Sequence, residues 1–238
     1  MRLDPLPQEH SPALADEFAS FHKTLGFVPN SVLTMQRKPE LVRAFVAMQR
    51  AIWDPGSKVD RGFKRLVAHV ASRAAGDAYS MAHTASGALH FGIDADKLAA
   101  ARDYRASPLY NAAEKAALDL AVAALASEAS GQRGNSFEVR AHSASEDARK
   151  RAGDTRPEPG SSARAASAVP SAVTNELFDE LRRHWSEEQI VELVAAIAMA
   201  GFLARWNTTM ATPIEEEPLA IGRKHLAAQG WSPGAHLR

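Results

Sequence analysis

The sequence predicts an all-α fold, a helical bundle, on three observations. Apolar residues recur at helical spacing in segment after segment, and helix-start signals precede several of these segments. No stretch alternates apolar and polar residues with the β-branched enrichment of a strand. At 238 residues the chain fits one domain or two small ones, and should bury roughly 70% of its unfolded surface.

Ser11-Pro12 marks the first start: a capping serine, then proline at the first helical position, with Leu14, Phe18 and Leu25 on one face. Residues 26–30 (GFVPN) turn the chain, because the proline restricts Val28 and supplies no donor. Pro39-Glu40 opens a helix carrying Leu41, Val42, Phe45, Met48 and Ile52, which Asp54-Pro55-Gly56-Ser57 breaks. The next helices are expected over Val59–Ala75 and Asp77–Phe91, then a short one over Asp94–Asp103 and a turn at Ser107-Pro108. Asn111 caps an apolar helix through Leu125, with Glu114 as its capping-box partner.

The composition then changes. From about Ser127 to Pro170 small, charged and proline residues dominate, and Phe137 and Val139 are nearly the only large apolar groups. Such a segment cannot bury enough surface to offset its ordering entropy. The chain therefore divides into an N-terminal helical part (1–126), a low-complexity insertion (127–172) and a C-terminal helical part (173–238) that completes the same domain. The insertion reads as disordered, or else as a lid or partner-binding loop. After it, Leu177, Phe178 and Leu181 form one stripe, and Ser186 with Gln189 opens a helix through Met210 that is apolar nearly all round. Pro213 ends it, and a last short helix is expected over Pro218–Gln229.

Lys plus Arg balances Asp plus Glu at 28 each, so no global field favours nucleic acid or anionic membranes. No segment reads as a 20-residue membrane span or a signal sequence, and the expected location is the cytoplasm. The cysteine count is zero, which excludes disulfides, thiolate metal sites and every thiol-based mechanism.

Reactive groups converge at one helix start, in Ala68–Gly87 (AHVASRAAGDAYSMAHTASG). Beyond Gly76, Asp77, Ser80 and His83 are three residues apart and share a face with Gly87. GDAYSMAHTASG resembles the active-site segment of the alkylhydroperoxidase D-like, or carboxymuconolactone decarboxylase, family. There a glycine precedes C-x-Y-C and a histidine follows two or three residues on. In register the two cysteines fall on Asp77 and Ser80, the tyrosine on Tyr79 and the histidine on His83. GFVPNSVLTMQRKPELVRAF upstream and AVTNELFDELRRHWSEEQIVELVAAIAMAGFLARWNTTMA downstream extend the likeness over most of the chain. The resemblance implies a homo-oligomer, trimer or hexamer. It also implies a relay glutamate twelve residues before the first cysteine, where this chain has Arg65; Glu192 occupies the repeat-related position. That repeat is weak: a shift of 127 residues aligns Tyr79 with Trp206, Ser80 with Asn207 and His83 with Met210.

Each candidate has a functional and a structural reading. His83 is a general acid or base, or a histidine packed on Tyr79. Asp77 is an N-cap accepting the Ser80 amide, its pKa held low by the helix dipole, and still able to face a cavity. Ser80 is a hydrogen-bond donor to ligand, a nucleophile served by His83, or inert. Tyr79 is a phenol donor or core. Asn207 and Arg205 fall in the pseudo-symmetric position and are read, with His69, as substrate-binding. His69 otherwise reads as a core histidine. Were it to face His83 and Asp77 the three would suit zinc or iron, but the spacings match no metal motif, and neither metal nor cofactor is expected.

The function these residues support is non-redox acid–base chemistry, which the resemblance implies to be of decarboxylase, lyase or isomerase type. Its substrate would be a small carbonyl- or carboxylate-bearing molecule, with His83 as proton carrier. The alternative is a catalytically inactive oligomeric binding or scaffold protein. A cavity holding His83 beside two or three polar groups favours the enzyme, and one filled by Met81 and Trp206 the scaffold.

Overall fold

The computed structural model describes residues 2–129 and 172–237. These form ten α-helices and no strand: α1 (Ala15–Leu25), α2 (Asn30–Met35), α3 (Pro39–Ile52), α4 (Arg61–Ala74), α5 (Ala78–His90), α6 (Ala95–Ala99), α7 (Ala112–Ala129), α8 (Asn175–His184), α9 (Glu187–Met210) and α10 (Glu216–His225). The reading of 127–172 as an insertion lies almost wholly outside the described residues.

Short-range polar signals set the helix starts. The Asn111 side chain accepts the Glu114 amide at 2.9 Å while Glu114 accepts the Asn111 amide at 3.0 Å. Ser186 and Gln189 reciprocate in the same way at the start of α9. Asp60 caps α4 by accepting the Phe63 amide at 2.8 Å. Ser11 departs from expectation. Its side chain caps nothing, and Pro12–Leu14 form a 3-10 turn before α1 begins at Ala15.

Two apolar clusters make the core. The larger gathers around α4, whose Leu66, Val67 and Ala71 are fully buried, with Leu118 of α7, Leu181 of α8 and Leu193 of α9. The smaller joins α1, α2 and α3 through Phe18, Val32, Val42 and Phe45, and takes Ala196 and Met199 from α9. So α9 serves both clusters, which is why nearly every side of it is apolar. Chain from both sides of 130–171 thus shares one core.

Two expectations need amending. By length and hydropathy α9 does qualify as a membrane span, but it is nearly half buried, packed between the two clusters as a core helix. And the position aligned with the Gly76 turn, Leu203, lies inside an unbroken α9; the shift nonetheless brings Asn207 to its aligned partner, with Asn207 Nδ2 3.4 Å from Ser80 Oγ.

Glu192 has a structural post, away from any relay. It accepts the Lys58 and Val59 amides at 2.9 and 3.2 Å and lies 3.4 Å from the fully buried Lys64 ammonium, which also donates to the Ile52 carbonyl at 2.6 Å. Removing one partner of a buried pair leaves an uncompensated charge. Because Glu192 is partly exposed and Lys64 keeps its carbonyl, Glu192→Gln is expected to destabilise the protein by about 2 kcal/mol in urea denaturation.

Candidate active site

A cavity of about 430 Å3 opens along the seam between the two core clusters, within the size range of small-molecule sites. Phe21, Val32, Phe45, Met199 and Leu203 supply much of its apolar wall. The polar wall comes from α5, which presents Tyr79, Ser80, His83 and Thr84, and from α4, which presents Arg61 and Arg65. Met81 and Trp206 do not line it.

One carboxylate organises the polar wall. Glu215, just before α10, accepts the Tyr79 hydroxyl at 2.9 Å on Oε1 and lies 2.6 Å from His83 Nε2 through Oε2; Oε1 also accepts the Asn30 amide. Burial alone would raise the Glu215 pKa, but the His83 ring and the Asn30 amide outweigh it and hold the carboxyl below its ordinary range. An ionised carboxylate only accepts. His83 Nε2 therefore carries the proton it donates to Glu215. Tyr79 stacks on His83 with ring centroids 4.3 Å apart. Burial, with the Glu215 charge second, pushes its phenol well above the ordinary value, so Tyr79 remains a donor committed to Glu215. Asn207 Nδ2 is directed at Ser80 Oγ, and Ser80 itself lines the cavity.

The other candidates lie elsewhere. Asp77 is fully buried behind the wall and does not line the cavity. Neither of its oxygens makes a hydrogen bond, so it is not the expected cap of α5. Its pKa is raised, not low: burial outweighs the Ser80 hydroxyl and amide, His236 and His83, which pull the other way. Asn207 is likewise fully buried and meets ligand space only through Ser80. Arg205 is on the exposed side of α9, donating to the Gly201 carbonyl at 3.0 Å, and does not reach the cavity. His69 is a core histidine, with Nδ1 3.1 Å from the Met81 carbonyl and 3.3 Å from Thr84 Oγ1. Among the described residues no three His, Asp or Glu side chains converge as a metal site.

Sequence reasoning missed Glu215 and undervalued Arg65. Glu215 stands in a Glu-Glu-Glu-Pro helix start, where nothing marks one glutamate as buried. Arg65 places its guanidinium 3.7 Å over the Trp53 ring, and Arg61 lies 4.1 Å over Phe91. Among the described residues neither forms an ion pair, and Arg65 Nε is buried without a partner. Burial and the neighbouring Arg61 charge push Arg65 down to about 10.

The all-helical architecture, here with a Tyr/His/carboxylate cavity wall and no thiol, is that of the alkylhydroperoxidase D-like class. Residues 39–123 match the model of the carboxymuconolactone decarboxylase family. The chain is 30% identical to the debrominase Bmp8, whose structure as a cysteine-to-alanine variant in complex with 2,3,4-tribromopyrrole covers 94% of this chain and is itself 97% covered (TM-score 0.71). Its apo form matches at 30% identity, 92% and 95% coverage and a TM-score of 0.68. A peroxidase-related alkylhydroperoxidase core protein from Ralstonia eutropha JMP134 shares the fold at 19% identity, 94% and 98% coverage and a TM-score of 0.62. No match was found among curated proteins. The chain belongs to the carboxymuconolactone decarboxylase family, as a member without cysteine.

His69 yields a pH prediction. Burial pushes it down to about 4, so it folds neutral, whereas in the unfolded chain it titrates near its ordinary 6.5. A depressed histidine leaves stability intact above the unfolded value and removes it as pH falls toward the folded one. Between about pH 7 and pH 5 this group alone is expected to remove about 2 kcal/mol. The comparison is urea denaturation at both pH values, in which His69→Gln loses less stability than the wild type on acidification.

Proposed function

We propose that this protein is a non-redox enzyme that moves a proton on a small organic substrate bound at the seam between the two clusters. The observation that carries the reading is the His83–Glu215 pair on the cavity wall, 2.6 Å apart. Glu215 fixes the ring and stabilises the imidazolium that forms when Nδ1 takes a proton, the part an acidic partner plays in serine hydrolase triads. Ser80, its oxygen approached by Asn207, stands on the cavity wall where its hydroxyl can polarise a substrate oxygen. Tyr79 keeps Glu215 in place.

The presence of His83 beside Tyr79, Ser80 and Thr84, in a cavity that neither Met81 nor Trp206 fills, supports an enzyme over the inactive scaffold. Likeness to a debrominase held with tribromopyrrole supports a ligand about the size of one substituted ring. Any debromination by this chain would have to proceed without a thiol. We also place it in the cytoplasm as a homo-oligomer, a trimer or hexamer. The exposed Val191 and Val194 of α9 supply an apolar edge for assembly.

Substrate is sought by incubating the protein with small keto acids and lactones in heavy water and following deuterium uptake by mass spectrometry. His83→Gln is expected to slow uptake by at least about 100-fold and Glu215→Gln by about tenfold or more, with ligand binding retained. Unchanged turnover in His83→Gln would remove it from the mechanism. Organic hydroperoxides provide the second measurement: no consumption is expected, because a hydroxyl has no accessible sulfenate or disulfide state.

A further inference from the structure

We propose that the cavity selects organic anions, with Arg65 and Arg61 as the seat for the substrate's acidic group and the apolar wall taking its body. The proposal rests on the preceding reading of this cavity as the substrate site.

Arg61 and Arg65 are one helical turn apart on α4, so their side chains project from the same face. Both line the cavity beside Phe91, whose ring centroid lies 4.1 Å from the Arg61 guanidinium carbon and 6.0 Å from that of Arg65. The acidic groups nearby are committed elsewhere. Asp60 caps α4 through the Phe63 amide, and Asp54 is on the exposed rim, accepting the Gly56 amide at 3.0 Å. Glu192 holds Lys64 and the Lys58 and Val59 amides, and Glu215 holds Tyr79 and His83. Arg65 Nε is buried with no acceptor at all.

The fold also makes room for this cation. A Cβ at position 87 of α5 would lie 3.1 Å from Arg65 Cδ and 3.4 Å from Nε, so the absence of a side chain at Gly87 gives the arginine its path. The Trp53 ring centroid lies 3.7 Å from the guanidinium carbon. A planar fork clamped in this way is prepared for bidentate recognition of a carboxylate or a comparable planar acid. With the apolar wall provided by Phe45, Met199 and Leu203, the occupant is a small anion with an aromatic or otherwise flat hydrophobic body.

The probes are 1-naphthoate and its neutral isostere 1-naphthamide, titrated into the full chain by isothermal calorimetry. Naphthoate is expected to bind at least about tenfold more tightly than the amide. In Arg65→Gln that preference should vanish while the amide still binds. Gly87→Ala, which displaces the arginine without removing its charge, should weaken the preference part of the way. Equal affinities in the wild type, no binding of either probe, or a preference that survives in Arg65→Gln would each overturn the inference. His83→Gln separates the two proposals. A preference lost there and kept in Arg65→Gln puts the anion on the imidazole, which ends this inference and leaves the proton-transfer reading standing. A preference that depends on Arg65 alone, with His83→Gln fully active in deuterium exchange, supports the anion seat and ends the proton-transfer reading.

Discussion

The Glu215 carboxylate is the contact on which the rest of the site depends. It ties together the start of α2 through the Asn30 amide, two side chains of α5 and the link between α9 and α10. Asn30 reinforces the same junction by donating to the Pro213 carbonyl at 3.0 Å. Without that acceptor, Tyr79 and His83 would still stack, but nothing would select which imidazole nitrogen carries the proton. The tautomer follows from a single ionised group held where several donors converge.

The replacement of sulfur by oxygen in this pocket belongs to a larger redistribution of charge. The family resemblance places a glutamate at position 65 in redox members, one helix before the reactive pair. Here a cation stands there, and the acid approaches His83 from the opposite end of the chain. Asp77, in register with the first thiol, has withdrawn behind the wall, where burial keeps its carboxyl hard to ionise. A thiol pair exchanging electrons needs a nearby base to form thiolate. Proton movement of the kind proposed takes an oriented imidazole and a means of placing substrate, which we assign to His83 with Glu215 and to Arg65.

Much of the architecture was legible because its causes are local. The capping boxes at Asn111/Glu114 and Ser186/Gln189 involve residues three apart, and their chemistry is visible in four letters of sequence. The all-round apolar character of α9 announced its burial because it packs against two clusters at once. The site was only half legible. Tyr79, Ser80 and His83 lie on the cavity as their motif implied, but Asp77 gave the opposite charge behaviour, since burial overrides the dipole of a helix start. Glu215 lies 132 residues from the histidine it orients, a distance over which periodicity and spacing carry no signal. Ser11 resembles a cap in letters alone, because the proline after it leads into a 3-10 turn.

The shared core has a consequence for how the chain is made. During translation α4 leaves the ribosome long before α9, so the part of its apolar surface that meets Leu193 and its neighbours lacks that cover until α9 has been synthesised. The polar wall, needing a carboxylate from residue 215, is completed only after α9 has been made, and a chain terminated before that point would carry its histidine without the group that orients it.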